Sequence, residues 1–205
     1  MRPPDLPSLT LLLGGARSGK SHLAETLAAR HGGRVTYLAT SPRIDGDDDL
    51  DERIERHRTQ RPASWHTVES EVDLAATLRD DDAGLVLVDC LTLWVNNMVW
   101  RDHSPEAIMD TARHDARLAA DRTDPTIVVS NEVGLGVHPD TELGRDYRDL
   151  LGRVNQVWAR AADRTLFLVA GRALELHDPV TLLFERDAPP RSGNGPNRSE
   201  ADPWT

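Results

Sequence analysis

The feature that most constrains this chain is a glycine-rich motif near its N-terminus. It reads Gly14-Gly15-Ala16-Arg17-Ser18-Gly19-Lys20-Ser21, the pattern G-x-x-x-x-G-K-S. An apolar run precedes it and apolar residues at helical spacing follow it, so it should join a buried strand to a helix. In such a loop the glycines permit a tight turn whose backbone N–H groups point at phosphate oxygens. The lysine adds charge for the β- and γ-phosphates and the last serine a hydroxyl for Mg²⁺, so the motif predicts a nucleotide site.

Lys20 is the only lysine of the chain, whose other strongly basic residues are all arginines. The alternative interpretation is a glycine-rich turn with an incidental lysine. The strand and helix signals on either side argue against it, because they are the context that the motif requires. We therefore expect residues 14–21 to contact the nucleotide, with Lys20 acting in catalysis as well.

Length and charge restrict the remaining possibilities. The chain has 205 residues, 34 of them acidic, and a formal net charge of −10, which argues against a general nucleic-acid-binding surface. We expect one domain over residues 1–184 and a disordered tail over 185–205, where apolar residues are scarce. A single cysteine, no signal-peptide pattern and no run long enough to span a membrane favour a cytoplasmic protein.

The hydrophobic pattern alternates between strands and helices after the motif. This is typical of an α/β protein with a mostly parallel sheet flanked by helices, the architecture of the P-loop NTPases. Strands are predicted at residues 9–13, 34–39, 63–69, 85–89, 126–130 and 165–170, and Gly171 should end this last strand. Helices are predicted at 21–30, 49–60, 91–100 and 105–122, around residues 74–78, and from about 141 to 158. The apolar helix 91–100 belongs either to the core or to a subunit contact.

Polar residues follow several of these strands. Because ligands bind at the carboxyl ends of parallel strands, such residues are candidates for nucleotide contacts. Thr40 and Ser41 are either contacts or ordinary turn residues, and the same two interpretations hold for Asn131 and Glu132. Asp89 ends a buried apolar strand, so it is a candidate Mg²⁺ ligand, the alternative being a helix cap.

One histidine stands between arginines on a predicted helix. Arg53, His57 and Arg61 are spaced four residues apart, which places them along one line of that helix. A solvated or core histidine is one interpretation of His57. In the other, the flanking cations lower its pKa and keep the imidazole neutral and nucleophilic while they hold a polyphosphate.

Taken together, these segments resemble a known family over roughly residues 11–172. Beyond the phosphate loop, the matching segments are Y-L-A-T-S from Tyr37, R-I-x-x-H-x-x-x-R-P from Arg53, W-x-T-x-E from Trp65, D-C-L-T from Asp89, N-E-V-G-x-G from Asn131 and G-R-V-N-Q from Gly152. In this order they are similar to the bifunctional adenosylcobinamide kinase/adenosylcobinamide-phosphate guanylyltransferases of cobalamin biosynthesis. Many proteins share the phosphate loop, whereas the ordered set is highly specific.

The resemblance implies a RecA-like P-loop domain, usually a homotrimer, that uses GTP, ATP and Mg²⁺ on a corrinoid. One reaction phosphorylates the aminopropanol hydroxyl of adenosylcobinamide. The other transfers GMP from GTP to that phosphate through a guanylylated histidine, which the motif places at His57, and releases pyrophosphate. Besides the loop, the implied nucleotide contacts are Ala39, Thr40, Ser41, Arg58, Thr59, Gln60, Arg61, Glu69 and Asp89, and the metal ligands are Ser21 and Asp89.

Two functions of other classes remain open at this stage. One is a plain P-loop kinase in which His57 is structural, and it predicts γ-phosphate transfer without covalent labelling. The other is a non-catalytic nucleotide-binding module, which predicts binding without turnover of a corrinoid.

Overall fold

Helices and strands alternate along the part of the chain that the computed structural model describes, residues 6–42 and 61–184. The strands are β1 (Leu9–Gly14), β2 (Val35–Ala39), β3 (His66–Glu69), β4 (Leu85–Asp89), β5 (Thr126–Val129), β6 (Arg164–Val169) and β7 (Arg172–Leu176). The helices are α1 (Lys20–His31), α2 (Ala75–Leu78), α3 (Leu91–Trp100), α4 (Pro105–Asp121), α5 (Glu142–Ala161) and α6 (Pro179–Phe184), with a short 3₁₀ turn at Asp81–Ala83. The predicted helix 49–60 and the predicted tail 185–205 lie outside the described residues.

The strands form one sheet in the order β3-β2-β4-β5-β1-β6-β7. The first six strands of this order run parallel, and β7 pairs antiparallel with β6. The predicted mostly parallel α/β sheet is therefore confirmed. Because β1, β2, β4 and β5 are adjacent and parallel, their carboxyl ends meet at one edge of the sheet, where ligands bind in such folds.

The prediction that residues 165–170 form the last strand was wrong. A seventh strand follows directly, because Ala170 and Gly171 both adopt positive φ (50° and 71°) and reverse the chain in a two-residue turn between Val169 and Arg172. Positive φ at both central residues is the geometry of a hairpin turn that matches the twist of its strands. Alanine rarely takes that conformation, so little in the residues of this turn indicates a hairpin.

Apolar side chains fill both faces of the sheet. One face packs against α1, with Ala24 and Ala28 on Tyr37 and Leu87. The other face packs against α3, α4 and α5, where Trp94 and Trp158 are fully buried. The two interpretations of the apolar helix 91–100 are thereby resolved, since Leu91, Trp94, Val95 and Met98 lie in the core. Among the described residues no helix is both long and apolar enough to cross a membrane.

A buried carboxylate on α4 makes the stability of this fold depend on pH. Asp115 is 1% exposed, and neither of its carboxylate oxygens has a hydrogen-bond partner among the described residues. Burial, with repulsion from Asp73, raises its pKa to about 7, although the nearby Arg79 lowers it. Arg79 is itself hydrogen-bonded to His114 at 2.6 Å. The folded protein therefore favours protonated Asp115.

We expect wild-type stability to fall as pH rises from about 4 to about 7, because the folded state then retains a proton that the unfolded chain has lost. The variant Asp115→Asn should lack this slope and exceed the wild type by about 1–3 kcal/mol at pH 8. Urea unfolding across pH measures both. The control is Asp110→Asn, since Asp110 is an exposed residue of the same helix, paired with Arg113. Plots of unfolding free energy against pH that run parallel for wild type and Asp115→Asn would contradict this expectation.

Candidate nucleotide-binding site

The phosphate loop joins β1 to α1 as its sequence predicts, and its backbone needs glycine at two positions. Gly14 has φ 151° and Gly19, which precedes the first turn of α1, has φ 100°. A Cβ on Gly14 would lie 2.4 Å from the carbonyl oxygen of Leu168 and 2.8 Å from the Ser18 hydroxyl. Gly14 thus lets the loop pack directly against β6. On the other side of the loop, Gly171 N–H donates to the Ser18 carbonyl at 2.9 Å.

Two side chains of the loop are placed to meet a phosphate. Lys20 is 7% exposed, and its Nζ donates to the Gly15 carbonyl at 2.7 Å, which holds the ammonium over the loop. The Ser18 hydroxyl is buried and has no hydrogen-bond partner among the residues that the structure describes. Buried hydroxyls are usually hydrogen-bonded, so this one fits a loop built to bind a polar ligand. Ser21 lies in the first turn of α1, where the helix dipole favours an anion.

Asp89 stands at the carboxyl end of β4, between Ala39 of β2 and Val129 of β5. The Tyr37 hydroxyl donates a 2.6 Å hydrogen bond to its Oδ2. Burial and the adjacent Asp89 raise the pKa of Tyr37 far above its ordinary value, an effect that Arg61 only partly offsets. The phenol therefore stays protonated and acts as a permanent donor. This fixes the orientation of a carboxylate that sequence reasoning proposed for the metal.

Arg61 brings positive charge to the same place. Its guanidinium carbon lies 3.3 Å from the centre of the Tyr37 ring, in a cation–π contact. Its Nε is buried without a hydrogen-bond partner in the described part of the chain. Sequence reasoning named Arg61 and Asp89 but missed Tyr37, which connects them. The sequence did contain one signal for Tyr37. It stands two residues before Ala39, a predicted nucleotide contact, and alternate residues of a strand share one face of the sheet.

A hydrogen-bond network holds the neighbouring strand ends together. Thr40 is fully buried, and its hydroxyl accepts from the Cys90 N–H and donates to the Cys90 carbonyl, both at 2.7 Å. Asn97 of α3 donates to the carbonyls of Thr40 and Glu71. Burial and Asp89 raise the pKa of the Cys90 thiol to about 11, so it remains protonated at neutral pH. The Thr40 side chain thus ties β2 to β4.

Asn131 and Glu132 follow β5 and mainly shape its loop. Asn131 N–H donates to the Thr92 hydroxyl at 2.9 Å, and Asn155 of α5 donates to the Asn131 carbonyl at 3.0 Å. Glu132 N–H donates to the Gly14 carbonyl at 3.1 Å, while its carboxylate accepts from Gly134 N–H at 2.7 Å. Both residues therefore attach the loop after β5 to the phosphate loop and to α5. The hydrogen bond from Gly134 shows that Glu132 acts as a turn residue.

The remaining predicted contacts divide into two groups. Ala39 and Ser41 are partly exposed at the end of β2, and Glu69 is exposed at the end of β3, beside Ala39 in the sheet. These positions border the ligand edge, and their nucleotide contacts remain predictions. The other group lies outside the described residues and consists of His57, Arg58, Thr59 and Gln60.

Residues 10–176 match the family model described as cobinamide kinase / cobinamide phosphate guanyltransferase. The chain belongs to this family. It is 45% identical over 168 residues to the bifunctional adenosylcobalamin biosynthesis protein CobP of Pseudomonas aeruginosa, covering 81% of this chain and 95% of that protein. It is 38% identical over 184 residues to the protein CobU of Salmonella typhimurium, covering 82% and 99%.

Solved structures give a more distant comparison. The flagellar accessory protein FlaH of Methanocaldococcus jannaschii superposes on this chain with a TM-score of 0.45 and 15% sequence identity. The match covers 82% of this chain and 77% of the FlaH chain. The family resemblance deduced from the ordered motifs is confirmed by the family match and the two bacterial relatives.

We predict that Gly14→Ala destabilises the protein by at least about 2 kcal/mol, because its Cβ would collide with backbone of β6 and the residue would keep a positive φ. Gly15→Ala is the matched control, since no atom lies within 4 Å of the Cβ that it adds. It should change stability by less than about 0.5 kcal/mol. Urea unfolding measures both. Equal losses in the two variants would contradict the packing role of Gly14.

Proposed function

We propose that this protein phosphorylates adenosylcobinamide and then transfers GMP from GTP to adenosylcobinamide phosphate. The observation that carries the proposal is the phosphate loop next to the Asp89, Tyr37 and Arg61 cluster, in a chain of the cobinamide kinase family. The products are adenosylcobinamide-GDP and pyrophosphate. Both reactions need a site that binds a polyphosphate and neutralises the charge that its transfer develops.

In the kinase step the aminopropanol hydroxyl attacks the γ-phosphorus of ATP or GTP, and the bond from that phosphorus to the β-phosphate oxygen breaks. The backbone of residues 14–19 and Lys20 would bind the β- and γ-phosphates. Mg²⁺ neutralises phosphate charge when bound, and the residues that would hold it are Ser21 and Asp89. Hydroxyl and carboxylate oxygens suit this ion, which needs only one or two protein ligands besides phosphates and water. The absence of a larger acidic or histidine cluster among the described residues is compatible with such a site.

In the guanylyltransferase step His57 would attack the α-phosphorus of GTP through a neutral ring nitrogen. A P–N bond forms, the P–O bond to the β-phosphate breaks and pyrophosphate leaves. The phosphate oxygen of adenosylcobinamide phosphate then attacks the same phosphorus and the P–N bond breaks, which regenerates the imidazole. Splitting one difficult transfer into two easier ones is the usual advantage of a covalent intermediate. Arg61, which lies over the ring of Tyr37, would offset negative charge on the phosphates.

We also propose a homotrimer as the assembly and the cytoplasm as its location. The support for self-association is an apolar surface at the open edge of the sheet, where Leu174 and Leu176 of β7 and Val180 and Leu182 of α6 are 45–65% exposed. An edge strand with exposed apolar residues can pair with another chain, and a contiguous exposed apolar patch marks an interaction site. Light scattering tests this assembly, since a trimer has three times the 22.7 kDa of one chain.

Labelling with GTP that carries ³²P at the α-phosphate tests the covalent step. Wild type should retain label that is stable to base and lost in acid, as a phosphoramidate is, and His57→Ala should retain none. The matched control His66→Ala should be labelled like the wild type, because His66 is an exposed residue of β3. Label on His57→Ala would refute the assignment of this histidine. Formation of adenosylcobinamide phosphate with no label on the wild type would favour a plain kinase.

A further inference from the structure

The loop between β5 and α5, residues 130–141, is held in place but exposes apolar side chains. Leu135 is 77% exposed and Val137 95% exposed, and Leu143 in the first turn of α5 is 67% exposed. Single exposed apolar residues are common on protein surfaces. Here three lie within nine residues of sequence, two on the loop and one in the first turn of α5, and together they offer apolar surface to a partner. Leu135, Val137 and Leu143 are called the loop patch below.

The loop patch is fixed to the nucleotide site at one end. Glu132 N–H donates to the carbonyl of Gly14, the first residue of the phosphate loop, at 3.1 Å. Val133 packs inward against the core beneath α3–α5. The exposed side chains thus begin three residues after a direct hydrogen bond to the phosphate loop.

The other end of the loop is fixed to α5. Arg145 donates to the carbonyls of Pro139 and Asp140 at 3.1 and 3.0 Å, and the Thr141 hydroxyl caps the helix by accepting from Gly144 N–H. A loop with both ends attached loses little conformational entropy when it binds a ligand. Its exposed leucine and valine are therefore preorganised for binding.

We propose that the loop patch binds the corrin ring of the corrinoid substrate. This inference rests on the proposed function, and it names the part of the chain that holds the portion of the substrate away from the phosphates. During phosphoryl transfer the aminopropanol hydroxyl must reach a phosphate on residues 14–21. The ring, which is much larger than that group, must then lie on a surface near the phosphate loop. The loop that carries Leu135 and Val137 is attached to the phosphate loop through Glu132.

The chemistry of the two surfaces is complementary. A corrin ring carries methyl groups around its edge, which leucine and valine side chains can cover, and amide chains that stay hydrated. Adenosylcobinamide also has a net positive charge on its cobalt–corrin unit. The exposed carboxylates of Asp140 and Glu142 border the loop patch and match that charge.

The test compares the double variant Leu135→Ser/Val137→Ser with wild type in steady-state assays where adenosylcobinamide and GTP are varied separately. We expect KM for adenosylcobinamide to rise by about tenfold to a hundredfold, since the loss of one apolar contact costs roughly a factor of ten and the variant removes two. KM for GTP should change less than about twofold, because the variant leaves the phosphate loop intact. Equilibrium dialysis with adenosylcobinamide, followed by its visible absorbance, should show the same loss of affinity.

Two controls keep the result specific. Trp100→Ser removes another exposed apolar side chain, since Trp100 is 64% exposed. It lies at the end of α3 that is remote from the strand ends, so this variant should leave both KM values unchanged. Leu135→Ile/Val137→Ile keeps the apolar surface and should retain wild-type KM values. Thermal unfolding and light scattering of every variant report folding and assembly.

The outcomes separate this proposal from the proposed function. Wild type that forms no product from adenosylcobinamide refutes the proposed function, and this inference with it. Active wild type together with an unchanged corrinoid KM in the double variant refutes the loop patch alone. A double variant with an altered oligomeric mass would show that the loop patch contacts a second copy of the chain, which also overturns the proposal.

Discussion

The close approach of Gly14 to the Leu168 carbonyl is the contact on which the site depends. Strand β1 lies between β5 and β6, and its last residue leads directly into the phosphate loop. Any side chain at Gly14 would push the loop away from β6 and would also collide with the Ser18 hydroxyl of the loop itself. That displacement would also move the Gly14 carbonyl, which receives the N–H of Glu132. One backbone contact therefore positions the phosphate loop and the loop after β5 together.

The second constraint is electrostatic and involves three side chains from separate parts of the chain. Tyr37 is buried between a carboxylate and a guanidinium, and its raised pKa keeps its proton on the phenol. The protonated tyrosine donates a hydrogen bond to Asp89 and so orients its carboxylate. The position of Arg61 over the ring adds a positive charge within reach of the same strand ends. Such an arrangement suits a reaction in which phosphate charge must be held and then moved.

Local signals in the sequence were enough to predict much of this. The phosphate loop and its flanking strand and helix follow from residues close together in the chain, and Asp89 follows from the end of an apolar run. The roles of Tyr37 and Thr40 were not predictable in this way, because their partners Asp89 and Cys90 lie about fifty residues away. β7 was missed since its turn uses an alanine at positive φ. The assignment of His57 rests on the family resemblance, and its position lies outside the described residues.

The ordered motifs supplied what physical reasoning alone did not. A phosphate loop and a strand-end carboxylate are compatible with many nucleotide-dependent reactions. The family match over residues 10–176 restricts them to chemistry on a cobinamide. The structure then adds features that no motif contains, above all the loop after β5, which exposes Leu135 and Val137 and is hydrogen-bonded to the phosphate loop through Glu132.

The proposed reactions both require that a nucleotide phosphate bind against the ammonium of Lys20. Because Lys20 is the only lysine, protein labelled with lysine that carries ¹³C at Cε gives one ¹³Cε signal by nuclear magnetic resonance. Titration with GTP and Mg²⁺ should shift that signal and saturate together with the binding measured by calorimetry. A signal that stays unchanged while calorimetry shows full occupancy would contradict the account.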